Sequence, residues 1–332
     1  MKAIRIHGSS GKATVSLDGI AIPEAGSGEV LIRVHATAVT PGELEWYPTW
    51  HTPKGDPRTY AVPCHEFSGV IEEIDPDIRG WNPGDAVYGL NDWFINGAAA
   101  EYCVAKSAEI AKKPTSIDHL HAASVPISGL TAWQGLFDRG KLQPGQKVLI
   151  HGGAGGVGSF AIQLAAWKGA FVITTVSEAD ISFVRELGAR EVIDYRKARF
   201  EELVTDADLV LDLVGGDTLR ASFRAVKLAG RVITIATSSE SETDPKFKEA
   251  FFIVAANANQ LMEITKLIDT GVLRTVVREV LPIDAAAQAY SPTKIKGRGK
   301  TVLQVVDSVG IGADSQTLTS KASETSERCP RH

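Results

Sequence analysis

Cysteine is scarce in this chain: Cys64, Cys103 and Cys329 are the only three among 332 residues. An odd number without paired spacing argues against a disulfide framework. Three thiols also exclude a four-cysteine structural zinc lobe. A dominant charge of one sign is equally lacking, since the formal net charge is −5 and no block of lysine or arginine interrupts the chain. Nucleic acid and anionic membrane surfaces are therefore not expected partners. Apolar runs are short, so no membrane-spanning helix is expected. The opening Met1-Lys2-Ala3-Ile4-Arg5-Ile6-His7 has no extended apolar core, and a secretory leader is not expected. A reducing, cytoplasmic setting follows as the default expectation.

What is present is enough apolar material for two cores. The chain is 44% hydrophobic and 23% charged, and its length suggests two domains. The first hundred residues or so read as β structure. Residues 29–38 place Val30, Ile32, Val34 and Ala36 on one face of a strand. Residues 67–74 and 86–88 continue the pattern, punctuated by Pro and Gly as in a small barrel. The texture then changes. Residues 147–151 form a short apolar strand, followed by a glycine run and a helix that aligns Val157, Ala161, Leu164 and Ala165. Strands are expected at 171–176, 191–193, 209–214, 232–236 and 251–255, with a helix over 181–187 ending at Gly188. Strands alternating with helices imply a doubly wound parallel sheet. Residues 260–270 read as an amphipathic helix and 301–306 as a strand, while 307–332, rich in Ser, Thr, Gly and Asp, read as a disordered tail.

Gly153-Ala154-Gly155-Gly156-Val157-Gly158 fits G-x-G-x-x-G. The pattern is weak alone but strong here, because a strand precedes it, a helix opens with it and another strand follows. Bare backbone can turn tightly and approach a pyrophosphate, and the helix start offers free N–H groups to that anion. The ribose reader stands at the end of the second strand, about twenty residues on. That strand ends at Ser177, a neutral donor suited to a 2′-phosphate, which favours NADPH. Glu178 follows directly, and a shift of one residue would favour NADH instead.

With these residues in view, the chain resembles the medium-chain dehydrogenase/reductase superfamily, in its zinc-free quinone oxidoreductase branch. The resemblance runs from residue 1 to about 306. It rests on Gly28 to Val34, Pro63-Cys64-His65-Glu66-Phe67-Ser68-Gly69-Val70, Gly84 to Gly89, Ser128-Gly129-Leu130-Thr131-Ala132-Trp133, His151 to Gly158, Gly188 to Arg196, and Gly297-Arg298-Gly299-Lys300-Thr301-Val302-Leu303. It implies a Rossmann sheet over 126–256 inserted into a GroES-like β-barrel built from 1–125 and 257–306. It implies Thr131 near the nicotinamide, Gly155, Gly156 and Val157 at the pyrophosphate, Ser177 and Tyr195 on the 2′-phosphate side, and Val214 and Thr237 along the cofactor path. Lys300 joins the cofactor-binding set. A homodimer is the family expectation, with Phe251-Phe252-Ile253-Val254 as a candidate pairing strand. One departure stands out. Relatives often carry Lys or Arg two residues after the serine, where this chain has Ala179 and then Asp180. Arg196 or Arg185 is expected to compensate.

The resemblance also bears on metal and substrate. Zinc-dependent relatives use a cysteine where this chain has Thr40, so no metal is expected despite His65-Glu66. Without a Lewis acid, simple ketones and alcohols are poor substrates. A quinone, or an alkene conjugated to a carbonyl, spreads the delivered charge over its own π-system and needs mainly positioning. A small electrophilic molecule is thus the expected substrate. Thr40, Tyr47 and His51 fall in the segment the family places near it, and Thr40 and Tyr47 are the catalytic candidates. Trp46, Trp50 and Trp93 could form flat walls, although ordinary packing is the commoner use. No evident general acid is found. Two other readings stay open: an enoyl reductase of a biosynthetic pathway, and a non-catalytic NADPH-binding sensor.

Overall fold

The computed structural model of the protein describes residues 1–236, 244–290 and 297–306. Thr237 and the 307–332 segment lie outside the described residues. Two large sheets organise the rest, beside a two-stranded one that pairs Lys2–His7 with Thr14–Gly19. One has five parallel strands in the order Glu191–Asp194, Phe171–Val176, Lys147–His151, Ala207–Asp212, Val226–Thr234. The strand order reverses between Lys147–His151 and Ala207–Asp212, and that switch point opens a crevice at their carboxyl ends. Val148, Leu149, Ile150 and Leu209 to Leu211 are buried because helices cover both faces.

The second sheet runs Val277–Pro282, Lys300–Gln304, Glu29–Ala38, Glu66–Ile74, Ala86–Leu90, Ile110–Lys112, with Tyr102–Lys106 also on Glu29–Ala38. The chain thus builds most of this sheet, leaves to make the parallel one, and returns to finish the first. The helix Ala258–Asp269 lies at their junction. Its Leu261, Ile264 and Ile268 are buried in a core that also holds Leu130 and Ile150. Tyr88 Oη, from the other sheet, donates to Leu261 O at 2.7 Å. Among the described residues no helix is long and apolar enough to cross a membrane.

Most expected elements appear close to their expected bounds. Residues 251–255 differ. They make a single bridge, Thr234 to Phe251, and no strand. At their end the Gln134 side chain takes both backbone groups of one residue, accepting from Ala255 N at 3.0 Å and donating to Ala255 O at 2.8 Å. Within the chain, Val226–Thr234 forms that edge of the parallel sheet. The strand expected to reach residue 214 stops at Asp212. Its buried carboxylate accepts from Val214 N and Gly215 N and turns the chain.

Candidate active site

The glycine loop leaves the carboxyl end of Lys147–His151, and its glycines differ in what they avoid. A Cβ on Gly153 would run into Thr174 Oγ1, and one on Gly158 into Gly152 O. These two let strand, turn and helix pack closely. A Cβ on Gly155 would meet nothing nearer than Gly152 O at 3.4 Å. Its bareness is not demanded by the protein's own packing. Gly155 is also the N-cap of the helix Gly156–Trp167 and contributes no side-chain cap, so the first-turn N–H groups are free for an anion. Ser128 Oγ, buried and without a hydrogen-bond partner among the described residues, lies 3.0 Å from where a Gly156 Cβ would sit. A bare loop, an uncapped helix start and an orphaned hydroxyl together fit a dinucleotide pyrophosphate. Thr131 is buried one helical turn beyond Ser128 on Pro126–Trp133. Val214, 57% exposed, flanks Gly152. Ala154 and Val157 are half-buried in the loop itself.

At the end of Phe171–Val176, Ser177 Oγ donates to Asp180 Oδ2 at 2.8 Å. Tyr195 is brought alongside, its N donating to Val176 O at 3.3 Å, with the Arg196 guanidinium 5.6 Å from its ring centre. The cation that reaches Asp180 is Arg298, a residue sequence reasoning passed over in favour of Arg196 and Arg185.

The opposite end of the loop is closed by Gly297 to Lys300. Gly299 N donates to Ala154 O at 3.1 Å. Gly299 has φ +69°, and a Cβ there would run into Val276 O, so only glycine fits. This crossing carries Lys300 over Gly156. Its Nζ donates to Thr40 Oγ1 at 2.9 Å and pairs with Glu66 Oε1. Glu66 Oε2 accepts from Ile127 N at 2.8 Å. Burial raises the Glu66 carboxyl above its ordinary value, and the Lys300 charge opposes the rise. The result is an ammonium ion held in a dry setting against a threonine hydroxyl.

His65 completes the surroundings without joining the charge network. Its Nδ1 pairs with Asn91 Oδ1 at 3.0 Å, and burial pushes it down to about 4, so the ring is neutral near pH 7. It lies 5.2 Å from Trp93, which meets Trp46 edge-on at 5.1 Å. Trp50 instead anchors locally, donating to Leu44 O at 2.8 Å. Tyr47 stands apart, 56% exposed and stacked on His51 at 4.2 Å.

The donor set does not fit a catalytic zinc. Among the described residues no three His, Cys, Asp or Glu side chains come together. Thr40 takes Lys300, and the Cys64 thiol turns toward Tyr290 Oη at 3.3 Å.

Behind Cys64 lies a buried carboxyl unnoticed in the sequence. Glu43 Oε2 accepts from Cys64 N at 2.7 Å, and Tyr290 Oη donates to Oε1 at 2.6 Å. Burial pushes Glu43 from 4.5 up to about 7. An acid raised on folding stabilises fully below its unfolded value, and that contribution is lost as pH rises through the folded one. Urea denaturation is expected to show the protein less stable at about pH 8 than at about pH 5.5, by about 2 kcal/mol. Glu43→Gln keeps one acceptor and one donor, and should flatten that dependence.

A family profile described as alcohol dehydrogenase GroES-like domain matches residues 26–115, and one described as zinc-binding dehydrogenase matches 187–303. A probable zinc-binding oxidoreductase, mitochondrial, of Arthroderma benhamiae is 32% identical, covering 86% of this chain and 90% of the relative. An NADPH-dependent alkenal/one oxidoreductase, chloroplastic, of Arabidopsis thaliana is 30% identical over 82% of this chain and 70% of its own length. The structure of the quinone oxidoreductase from Coxiella burnetii superposes with a TM-score of 0.82 at 30% identity, covering 92% of this chain and 99% of the other. The glycine loop at the switch point, the two-sheet architecture and these matches agree: the chain belongs to the medium-chain dehydrogenase/reductase superfamily, in its quinone oxidoreductase branch.

Proposed function

We propose that the protein is an NADPH-dependent reductase that delivers hydride to a quinone or an α,β-unsaturated carbonyl without a metal. The observation that carries this reading is the Lys300 ammonium, fixed by buried Glu66 against Thr40 Oγ1 beside the glycine loop. The names of the Arabidopsis and Coxiella relatives support the substrate class. Gly153 to Gly158 and the helix start bind the pyrophosphate, and Thr131 borders the nicotinamide. When bound, the reduced nicotinamide supplies hydride from C4. Thr40 Oγ accepts from Lys300, which leaves its own O–H free to donate to the substrate oxygen. Charge that develops on that oxygen meets a hydroxyl polarised by a buried cation. Neutral His65 with the tilted rings of Trp93 and Trp46 forms an aromatic wall that positions a conjugated acceptor and excludes water.

The test is a titration with NADPH and NADH, followed by tryptophan fluorescence, and then addition of a simple quinone or enone while the reduced-nicotinamide absorbance is monitored. Tight NADPH binding with acceptor-dependent oxidation is the expected result. Binding without oxidation of any quinone or enone would overturn the substrate class and favour a sensor.

A further inference from the structure

We infer that Arg58 is a positioning residue for the acceptor: its guanidinium holds Trp46 and Trp93 at a fixed spacing and so favours a flat aromatic quinone over a short linear enone. The inference rests on the proposed reductase reading and names the acceptor shape that reading leaves open. Two separate segments carry the tryptophans. Trp46 caps the 3₁₀ turn Pro41–Glu45, and Trp93 lies in the loop that follows the strand Ala86–Leu90. The rings meet edge-on at 5.1 Å, both half-buried, and Trp93 lies 5.2 Å from His65. Arg58 bonds to both segments. Its Nη1 donates to Pro48 O at 3.1 Å, just beyond Trp46, and faces Phe94 O at 3.4 Å and Ile95 O at 3.3 Å, just beyond Trp93. Its Nη2 donates to Asn96 Oδ1 at 2.7 Å, and its backbone N donates to Trp50 O at 2.9 Å.

The chemistry of these acceptors marks a clasp rather than an ion pair. The guanidinium is directed at neutral groups, three main-chain carbonyls and one amide oxygen. A planar fork with several donors can span two loops at one set separation, which a point charge on a flexible stem does poorly. The clasp continues to the site. Asn96 Oδ1 also accepts from Val62 N at 3.2 Å, and Asn96 O accepts from Asn91 Nδ2 at 3.1 Å. Asn91 Oδ1 in turn pairs with His65 Nδ1 at 3.0 Å. A run of hydrogen bonds thus leads from Arg58 to the ring beside Trp93. Removing the guanidinium leaves the carbonyls of both segments without their shared donor and lets the corner between the two tryptophans widen. A rigid aromatic quinone depends on ring faces and edges held at one separation. A short linear enone makes little ring contact and tolerates a wider corner.

The test measures steady-state kinetics of the full-length protein with NADPH against a naphthoquinone and a linear pentenone, together with NADPH affinity by fluorescence titration. Arg58→Ala is expected to raise KM for the naphthoquinone about tenfold while kcat falls by less than about threefold, the pattern of lost uniform binding. KM for the pentenone and the affinity for NADPH should change by less than about twofold. Arg58→Lys should recover part of the loss, since an ammonium ion keeps the charge without the fork. Asn96→Ala, at an exposed side chain, should raise the naphthoquinone KM about two- to threefold, and with Arg58→Lys it decides the matter if Arg58→Ala does not fold. An equal rise of KM for both acceptors would make Arg58 a mere anchor of its loops and overturn the inference, leaving the reductase reading in place. So would unchanged kinetics in the variants. A wild-type chain that oxidised NADPH with neither acceptor would overturn the functional reading itself, and this inference with it.

Discussion

Gly155→Ala is expected to fold like the wild type and to bind NADPH on the order of 100-fold more weakly. Gly155 has φ −71° and ψ 177°, an extended conformation alanine adopts freely. Its added methyl would contact the protein only at ordinary van der Waals distance. The sole partner that needs a bare backbone there is one approaching from the crevice. Gly153→Ala and Gly158→Ala act differently. Their methyls run into Thr174 Oγ1 and Gly152 O, so both should cost stability, about 1–3 kcal/mol, along with any binding loss. Thermal unfolding and fluorescence titration of the three variants separate the effects. Wild-type affinity in a well-folded Gly155→Ala protein would remove the pyrophosphate from this loop.

Lys300→Met should lower kcat/KM for quinone or enone reduction by about 100- to 1,000-fold. The substitution takes away the cation behind Thr40 and strands Glu66, which is fully buried. Removing one partner of a buried pair destabilises by about 3–5 kcal/mol when the other stays charged. Here the loss depends on pH. Burial already raises Glu66, and losing Lys300 raises it further, so the carboxyl protonates more readily in the variant. The deficit should vanish at acid pH, where Glu66 is neutral in both states, and grow as pH rises. Adding Glu66→Gln should restore most of the stability and none of the rate. That double variant separates structural from chemical loss. A Lys300→Met protein with wild-type turnover would sink the assignment of Thr40 and Lys300.

Some of the fold could be read in short stretches. Alternation over residues 29–38 and the apolar run at 147–151 became strands at those positions, because side-chain periodicity is a property of a few consecutive residues. Residues 251–255 had the same apolar texture and formed only a single bridge within the chain, and a glutamine side chain from elsewhere holds the backbone of Ala255. Tyr47 and Thr40 shared one segment, yet only Thr40 was drawn into the charged cluster.

The sequence by itself determined the glycine loop, the parallel sheet and the helix start that together favour a dinucleotide. Those follow from turn stereochemistry and hydrophobic spacing within about thirty residues. Only the tertiary structure decided which cations stand beside the glycine loop. Lys300 meets Thr40 across 260 positions, and Arg298 meets Asp180 across 118. No local pattern encodes either meeting. Both arise because the chain returns to its first sheet after building the second, and the returning segment is hydrogen-bonded across the loop.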